Sequence, residues 1–372
     1  MERCVGILTA GGDSPGLNAA IRAVGRVLVN HDIHLLGFRD GFEGIAFDKT
    51  MELDRHTFSG ILTVGGTILG TSRNKPNKMP VGKKMLDMTD AIVENYHKHH
   101  LEALVCIGGG GTHKSALRLS KMGLNILTMP KTIDNDVYGT DVTIGYDTAI
   151  GTATNAIDSL HSTASSHKRI ILVELMGHRA GWLTLSAGLA GGADVILIPE
   201  IPYDLKKVAA AIMRRNREGK NFSIVPVAEG AVSQEIAPLF TALHEKKEKA
   251  TGKDEREKIK AELERLSLEH AGHTMLVAEQ LEKLTGLETR VTILGHLQRG
   301  GIPSSGDRIL ATRLGVVCAE CLLSRKFGCM MSVQGSNIVP VPIDTVAGKL
   351  KMVPSDHLLM KAARNTGICF GD

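Results

Sequence analysis

Aromatic side chains are scarce in this chain: 3% of its 372 residues are Phe, Trp or Tyr, and Trp occurs once. Surfaces for stacking nucleic-acid bases are therefore few, which argues against nucleic-acid binding. A dominant charge sign is also missing, since 44 Lys and Arg nearly balance 40 Asp and Glu to leave +4. No apolar run approaches the roughly 20 residues of a membrane span. The six cysteines lack the short, dense spacing of a disulfide framework, so reduced thiols and a cytoplasmic setting are expected. Met1 to Leu8 enters an apolar strand at once, so no signal peptide is expected. Cys318 and Cys321 form a CxxC pair in an apolar helical stretch, but no second CxxC or histidine pair completes a zinc site.

What remains is an ordinary globular composition, long enough for two domains or one large one. Short Val- and Ile-rich runs recur, each followed by glycine or a turn and then a helical pattern. They include Val5–Leu8, Ala103–Ile107, Ile170–Leu175, Val195–Ile198 and Ile224–Val227. Continuous apolar strands alternating with helices predict parallel sheets covered on both faces. The expected fold is α/β, with two Rossmann-like three-layer domains. One comprises residues 1–145 with about 303–350, the other 146–302 with the C-terminal segment. Residues of about 233–286 depart from the pattern: their dense alternating charge predicts one or two exposed helices inserted in the second domain. His97-Lys98-His99-His100 reads as a solvated helix end.

Ligands of such sheets sit beyond the carboxyl ends of the strands. There the chain places Thr9-Ala10-Gly11-Gly12-Asp13-Ser14-Pro15-Gly16, before a helix expected over Leu17–Val29. A second loop, Gly108-Gly109-Gly110-Gly111-Thr112, leads into a helix expected from His113. Between them, Gly65-Gly66-Thr67 precedes Gly70-Thr71-Ser72-Arg73. Glycines let backbone N–H groups approach phosphate closely, and helix N-termini favour anions. A tight strand-to-helix turn would use the same residues, and the spacing matches neither the P-loop nor the dinucleotide fingerprint.

The most informative stretch is Pro130-Lys131-Thr132-Ile133-Asp134-Asn135-Asp136, directly after Ile126–Met129. Two carboxylates and a lysine ending a buried strand need partners. Phosphoryl transfer requires such a set: a base for the acceptor hydroxyl, an acid for the cation and positive charge for phosphate. Arg169, the run Met176-Gly177-His178, Glu229, Arg290, and Gly295-His296-Leu297-Gln298-Arg299-Gly300-Gly301 form a second group suited to a sugar phosphate. Surface ion pairs and an acidic Asx turn would use many of the same residue types.

Taken in order, these loops resemble the phosphofructokinase family from residue 4 to about 315, the charged insertion apart. The resemblance implies transfer of a phosphoryl group from ATP to the 1-hydroxyl of fructose 6-phosphate. Asp134 would be the base, Thr132 would position the transferred group, and Arg73 would bridge the donor phosphates. Donor binding is implied for Gly12, Arg73, Asn74, Gly109, Gly110, Gly111, Thr112 and Lys131. Thr132, Asp134, Arg169, Met176, Gly177, His178, Glu229, Arg290, His296 and Arg299 would take the sugar phosphate. In this family Arg169 and Arg290 match positions supplied by a neighbouring subunit, so a homodimer or homotetramer is implied. Mg²⁺ is the implied cofactor, with Asp136 near it.

This chain departs from the family pattern in several places. Gly110 stands where the family usually carries a magnesium-binding acid, and Gly306 stands where an aromatic usually precedes Asp307-Arg308. Pyrophosphate-using members carry aspartate at Gly111 and lysine at Lys131, whereas the best-known ATP users carry glycine at both. Gly111 leaves room for a nucleotide and favours ATP; pyrophosphate stays the alternative donor, and a sugar-phosphate sensor without catalysis the third reading. Arg22 and Arg26 match basic effector positions, but His161 and Glu218 replace basic residues, so effector control should be reduced or absent.

Overall fold

The computed structural model describes residues 3–250, 252–269 and 273–372. Thr251 and residues 270–272, which belong to the charged segment of the sequence, lie outside that description. The described strands are β1 (Arg3–Ala10), β2 (Ile33–Phe38), β3 (Thr50–Leu53), β4 (Met79–Val81), β5 (Lys84–Leu86) and β6 (Leu101–Gly108). They continue as β7 (Ile126–Pro130), β8 (Ile170–Leu175), β9 (Ser223–Ala228), β10 (Thr289–Ile293), β11 (Cys329–Gln334) and β12 (Asn337–Pro342). The chain divides into two compact units, 1–151 with 296–351 and 152–295 with 352–372.

The first unit is built on a seven-stranded sheet in the order β12-β11-β7-β6-β1-β2-β3. Its centre is parallel, and β3 and β12 close the edges antiparallel. Strand alternation explains why two helical layers cover it. Val5 and Ile7 of β1, with Ala103, Val105 and Ile107 of β6, face the helices Leu17–Val29 and Ser305–Leu323. Leu8 and Ala10, with Leu104 and Cys106, face the opposite core formed with Phe42–Ala46, Thr89–Lys98 and Gly110–Lys121. Both faces of the same strand are thus apolar, which is why these strands read as continuous hydrophobic runs.

The second unit repeats the scheme on a parallel sheet of order β10-β8-β9. Ile170 and Leu172 face one core, with the helices Leu205–Arg217 and His273–Thr285, while Ile171 and Val173 face the other. Two expectations change here. Val195–Ile198 makes isolated bridges to Cys369 and Val227 instead of a full strand. Of the charged segment, only the first two helices form a separate hairpin-like cluster, around Leu243, Ile259 and Leu263. The helix His273–Thr285 buries Val277, Ala278 and Leu281 in the main core, so its apolar face outweighs its charged neighbours in the sequence.

The histidine cluster ends the helix Thr89–Lys98, where Lys98 and His99 both pair with Asp48. Cys318 and Cys321 lie buried on the helix Ser305–Leu323, and burial pushes the Cys318 thiol up. Among the described residues, no group of three or more His, Cys, Asp or Glu is arranged to hold a metal ion.

Candidate active site

Three loops of the first unit meet over the carboxyl ends of β1, β6 and β7 and enclose a cavity of about 330 Å³. The first loop leaves β1 at Gly11, whose φ of +94° is left-handed and suits glycine. Its N–H donates to Ser72 O at 2.9 Å, which ties the Ser72-Arg73-Asn74 segment alongside. Asn74 in turn donates to Glu43 at 2.7 Å. A Cβ on Gly12 would stand 1.9 Å from Arg299 Nη1, so glycine there leaves room for the guanidinium to approach the loop.

The second loop becomes helix earlier than its sequence suggests. The helix starts at Gly110 rather than His113, with Gly109 as N-cap, so the last two glycines of the run, Gly110 and Gly111, open its first turn. Its N–H groups therefore open toward the cavity that Gly109, Gly110 and Gly111 line. A side chain added at Gly110 or Gly111 would meet nothing within 4 Å. Gly108, by contrast, is wedged against Thr112 Oγ1 and Ala10 O. Below this turn His113 is buried and bonded to Thr128 at 3.0 Å; desolvation lowers its pKa to about 4, so it is neutral at pH 7.

The third loop follows β7. Lys131 is only 3% exposed, and its Nζ donates to the carbonyl of Gly12. Desolvation, and then Arg299, bring its pKa down to about 8, against the pull of Asp13, Asp134 and Asp136. Asp134 N donates to Thr132 Oγ1 at 3.2 Å, while Thr143 Oγ1 donates to Thr132 O at 2.6 Å. Asn135 takes a left-handed φ of +51° and reaches Asp141 O, which turns the chain so that both Asp134 and Asp136 line the cavity.

Of the residues expected at the donor, Gly12, Arg73, Asn74, Gly109, Gly110, Gly111, Thr112 and Lys131 all line this cavity, with Thr132, Asp134 and Asp136. Arg299, expected in the sugar-phosphate group, lines it too, 4.0 Å from Asp13. Asp13, Ser72 and Lys75 were not singled out by sequence, although the acid inside Gly-Gly-Asp and the lysine after Asn74 were visible signals. Four cationic side chains, Arg73, Lys75, Lys131 and Arg299, thus share one cavity with three carboxylates, Asp13, Asp134 and Asp136. That balance suits a polyanion brought close to a base.

His296 is in the first unit but outside the cavity lining. Arg169, Met176, Gly177, His178, Glu229 and Arg290 belong to the second unit. There Arg169 and Glu288 stand opposite each other at the start of the β8–β10 ladder and form two bonds at 2.8 and 2.9 Å. Glu288 also pairs with Arg290, two residues on and on the same face. Arg26 and Arg55 line a further, smaller cavity in the first unit.

Lys131 gives this cavity a charge that depends on pH. Its ammonium form is present below about pH 8 and is lost above it. Affinity for a phosphate donor should therefore fall as pH rises from 7 to 9. In Lys131→Arg, whose charge does not titrate in this range, that fall should flatten. Donor KM against pH for both proteins measures this, and an equally steep fall in both would assign the titration elsewhere.

The fold and this cavity define an α/β protein with a glycine-walled, cation-lined cavity that suits a polyanion beside a candidate base. A family model, Phosphofructokinase, matches residues 4–322. The ATP-dependent 6-phosphofructokinase of Propionibacterium freudenreichii is 53% identical over 373 residues, covering all of both chains. A pyrophosphate–fructose 6-phosphate 1-phosphotransferase of Streptomyces coelicolor is 44% identical over 94% of this chain and 96% of its own. Among solved structures, Pichia pastoris phosphofructokinase in the T-state superposes with a TM-score of 0.76 at 29% identity. That match covers 93% of this chain and 35% of the longer one. This chain belongs to the phosphofructokinase family.

Proposed function

We propose that this chain is an ATP-dependent 6-phosphofructokinase that converts fructose 6-phosphate to fructose 1,6-bisphosphate. The observation that carries the reading is the convergence of Asp134, Thr132, Arg73 and Lys131 on one glycine-walled cavity. The full-length likeness to enzymes named for that reaction supports it. In this reading Asp134 takes the proton of the sugar 1-hydroxyl as that oxygen attacks the terminal phosphorus. The N–H groups at Gly110 and Gly111 and the cations Arg73 and Lys131 offset charge on the transferred group and the leaving diphosphate. Thr132 holds the transferred phosphoryl group in line.

The residues fit a magnesium ion held only in part by protein. Such an ion commonly keeps its waters and takes one or two carboxylates plus substrate phosphates. Asp136 is the carboxylate that would hold it, since Gly110 offers none. When bound, the ion would neutralise phosphate charge.

The first unit is the donor side in this proposal. Arg169, Met176, Gly177, His178, Glu229, Arg290, His296 and Arg299 take the sugar phosphate, and Arg169 and Arg290 act across a homo-oligomer. Among the described residues no helix is long and apolar enough to cross a membrane. ³¹P NMR of the chain with ATP, Mg²⁺ and fructose 6-phosphate tests the reaction. New signals of ADP and a sugar 1-phosphate are expected, and ATP hydrolysis with no sugar 1-phosphate would sink the reading.

ATP as donor depends on open space at Gly111. Gly111→Asp should fold normally, because a new side chain meets nothing within 4 Å. Its carboxylate would stand at the helix end where the nucleotide's phosphates bind. KM for ATP should rise about tenfold or more, the effect of roughly 1.4 kcal/mol of lost binding. Unchanged KM for ATP in a folded variant would remove Gly111 from the donor site.

A further inference from the structure

The segment 176–181 leaves the end of β8 and is shaped by close backbone packing. Gly177 has φ +127°, and a Cβ on Gly230 would stand 2.0 Å from the carbonyl oxygen of His178. Gly181 has equally little room, since its Cβ would meet Ile198 Cβ at 2.4 Å and Glu200 Oε2 at 2.8 Å. Glu229 N donates to Leu175 O at 2.8 Å, which fixes where the segment departs.

Its far end is held by Glu200. Both carboxylate oxygens lie 3.0 Å from Gly181 N, and Oε1 also accepts Val353 N at 2.9 Å. Gly181 is the N-cap of the helix Trp182–Ala190, so the carboxylate stands where the free N–H groups and the helix dipole favour negative charge. Val353 lies near the start of the C-terminal segment of the same unit, in which the ring of His357 stands edge-on to Trp182 at 4.8 Å. Burial pushes the Glu200 carboxyl above its usual range, and the N–H donors of Val353 and Gly181 oppose that. Glu200 is outside the donor cavity, and nothing in the proposed chemistry uses it.

We propose that Glu200 is a positioning residue for the sugar-phosphate loop: by joining Gly181 and Val353 on one carboxylate, it sets the path of Met176, Gly177 and His178. This rests on the assignment of that loop to fructose 6-phosphate. In Glu200→Ala two N–H groups lose their acceptor and the loop loses its anchor. KM for fructose 6-phosphate should rise about tenfold or more, while KM for ATP and kcat at saturation change little. Glu200→Gln should restore most of the affinity, because one amide oxygen can accept both of the bonds made by Oε1.

The experiment is steady-state kinetics of Glu200→Ala, Glu200→Gln, Glu200→Asp and His178→Ala beside the unaltered chain, with thermal unfolding of each. Should the Ala variant not fold, Glu200→Asp carries the test, since its shortened carboxylate should raise the sugar KM alone. An unchanged sugar KM in Glu200→Ala or Glu200→Asp, or an equal rise for both substrates, overturns the proposal. If His178→Ala also leaves the sugar KM unchanged, the failure lies in the loop's assignment rather than in Glu200.

Discussion

Replacing Asp134 by asparagine is expected to lower kcat by about 10²–10⁴-fold, the usual worth of a positioned general base. Asparagine keeps the shape of the side chain but has no carboxylate to take the hydroxyl proton. The loop around it should survive, because the hydrogen bonds described there run through the backbone of Asp134 to Thr132, and through Thr143 and Asn135. An interaction made only in the transition state lowers kcat and kcat/KM together, so KM for both substrates should stay close to its original value. Steady-state kinetics with both substrates varied provides the measurement. A variant with near-normal kcat would refute the role of Asp134, and raised KM values at unchanged kcat would make it a binding residue instead.

The largest effect on stability is expected from Asp307→Ala. This carboxylate has no solvent exposure and closes the start of the helix Tyr146–His167. Its Oδ1 accepts Gly145 N at 2.8 Å, while Oδ2 accepts Thr148 N at 2.8 Å and Thr148 Oγ1 at 2.5 Å. Burial raises its pKa, and the hydrogen bonds from Thr148 and Gly145 oppose the rise. Alanine would leave several buried donors without that acceptor, at about 1–3 kcal/mol each. Allowing for relaxation and water entry, a loss on the order of 3–5 kcal/mol is expected. Urea unfolding should show a lower midpoint at unchanged slope. A loss below about 1 kcal/mol would mean that the helix start is held by other contacts.

Asp147, at the start of the same helix, accounts for one departure from the family pattern. Ser304 Oγ donates to Asp147 at 2.6 Å, and a Cβ on Gly306 would stand 2.6 Å from the same carboxylate oxygen. An aromatic side chain before Asp307 would have to displace Asp147. Gly306 therefore belongs with Asp147 and Ser304 as one local arrangement.

Local features were the legible ones. The helix Leu17–Val29 begins and ends where its apolar spacing and flanking glycine place it. The heptapeptide at the end of β7 pointed to a candidate site because charge at the end of a buried strand needs partners, and the cavity brings several of its residues together with the glycine loops. Features set by distant contacts were not legible. Glycine propensity argues against helix at Gly110, yet packing of Ala116 and Leu119 into the core draws the helix back over the glycines. Val195–Ile198 has strand composition but is bonded only through single bridges, so composition alone could not give its pairing. The reach of Arg299 to Gly12 and the bonds of Asp307 to Gly145 and Thr148 span more than 150 residues of chain, beyond any local pattern.

The central claim is that the glycine-walled cavity takes ATP and presents its terminal phosphorus to a sugar hydroxyl facing Asp134. The most direct measurement is an aldolase-coupled assay with fructose 6-phosphate and excess Mg²⁺, run with ATP and, separately, with pyrophosphate. The account predicts turnover with ATP, at a kcat/KM at least about tenfold above that with pyrophosphate, a margin of roughly 1.4 kcal/mol. Turnover with pyrophosphate alone, or with neither donor, would contradict it.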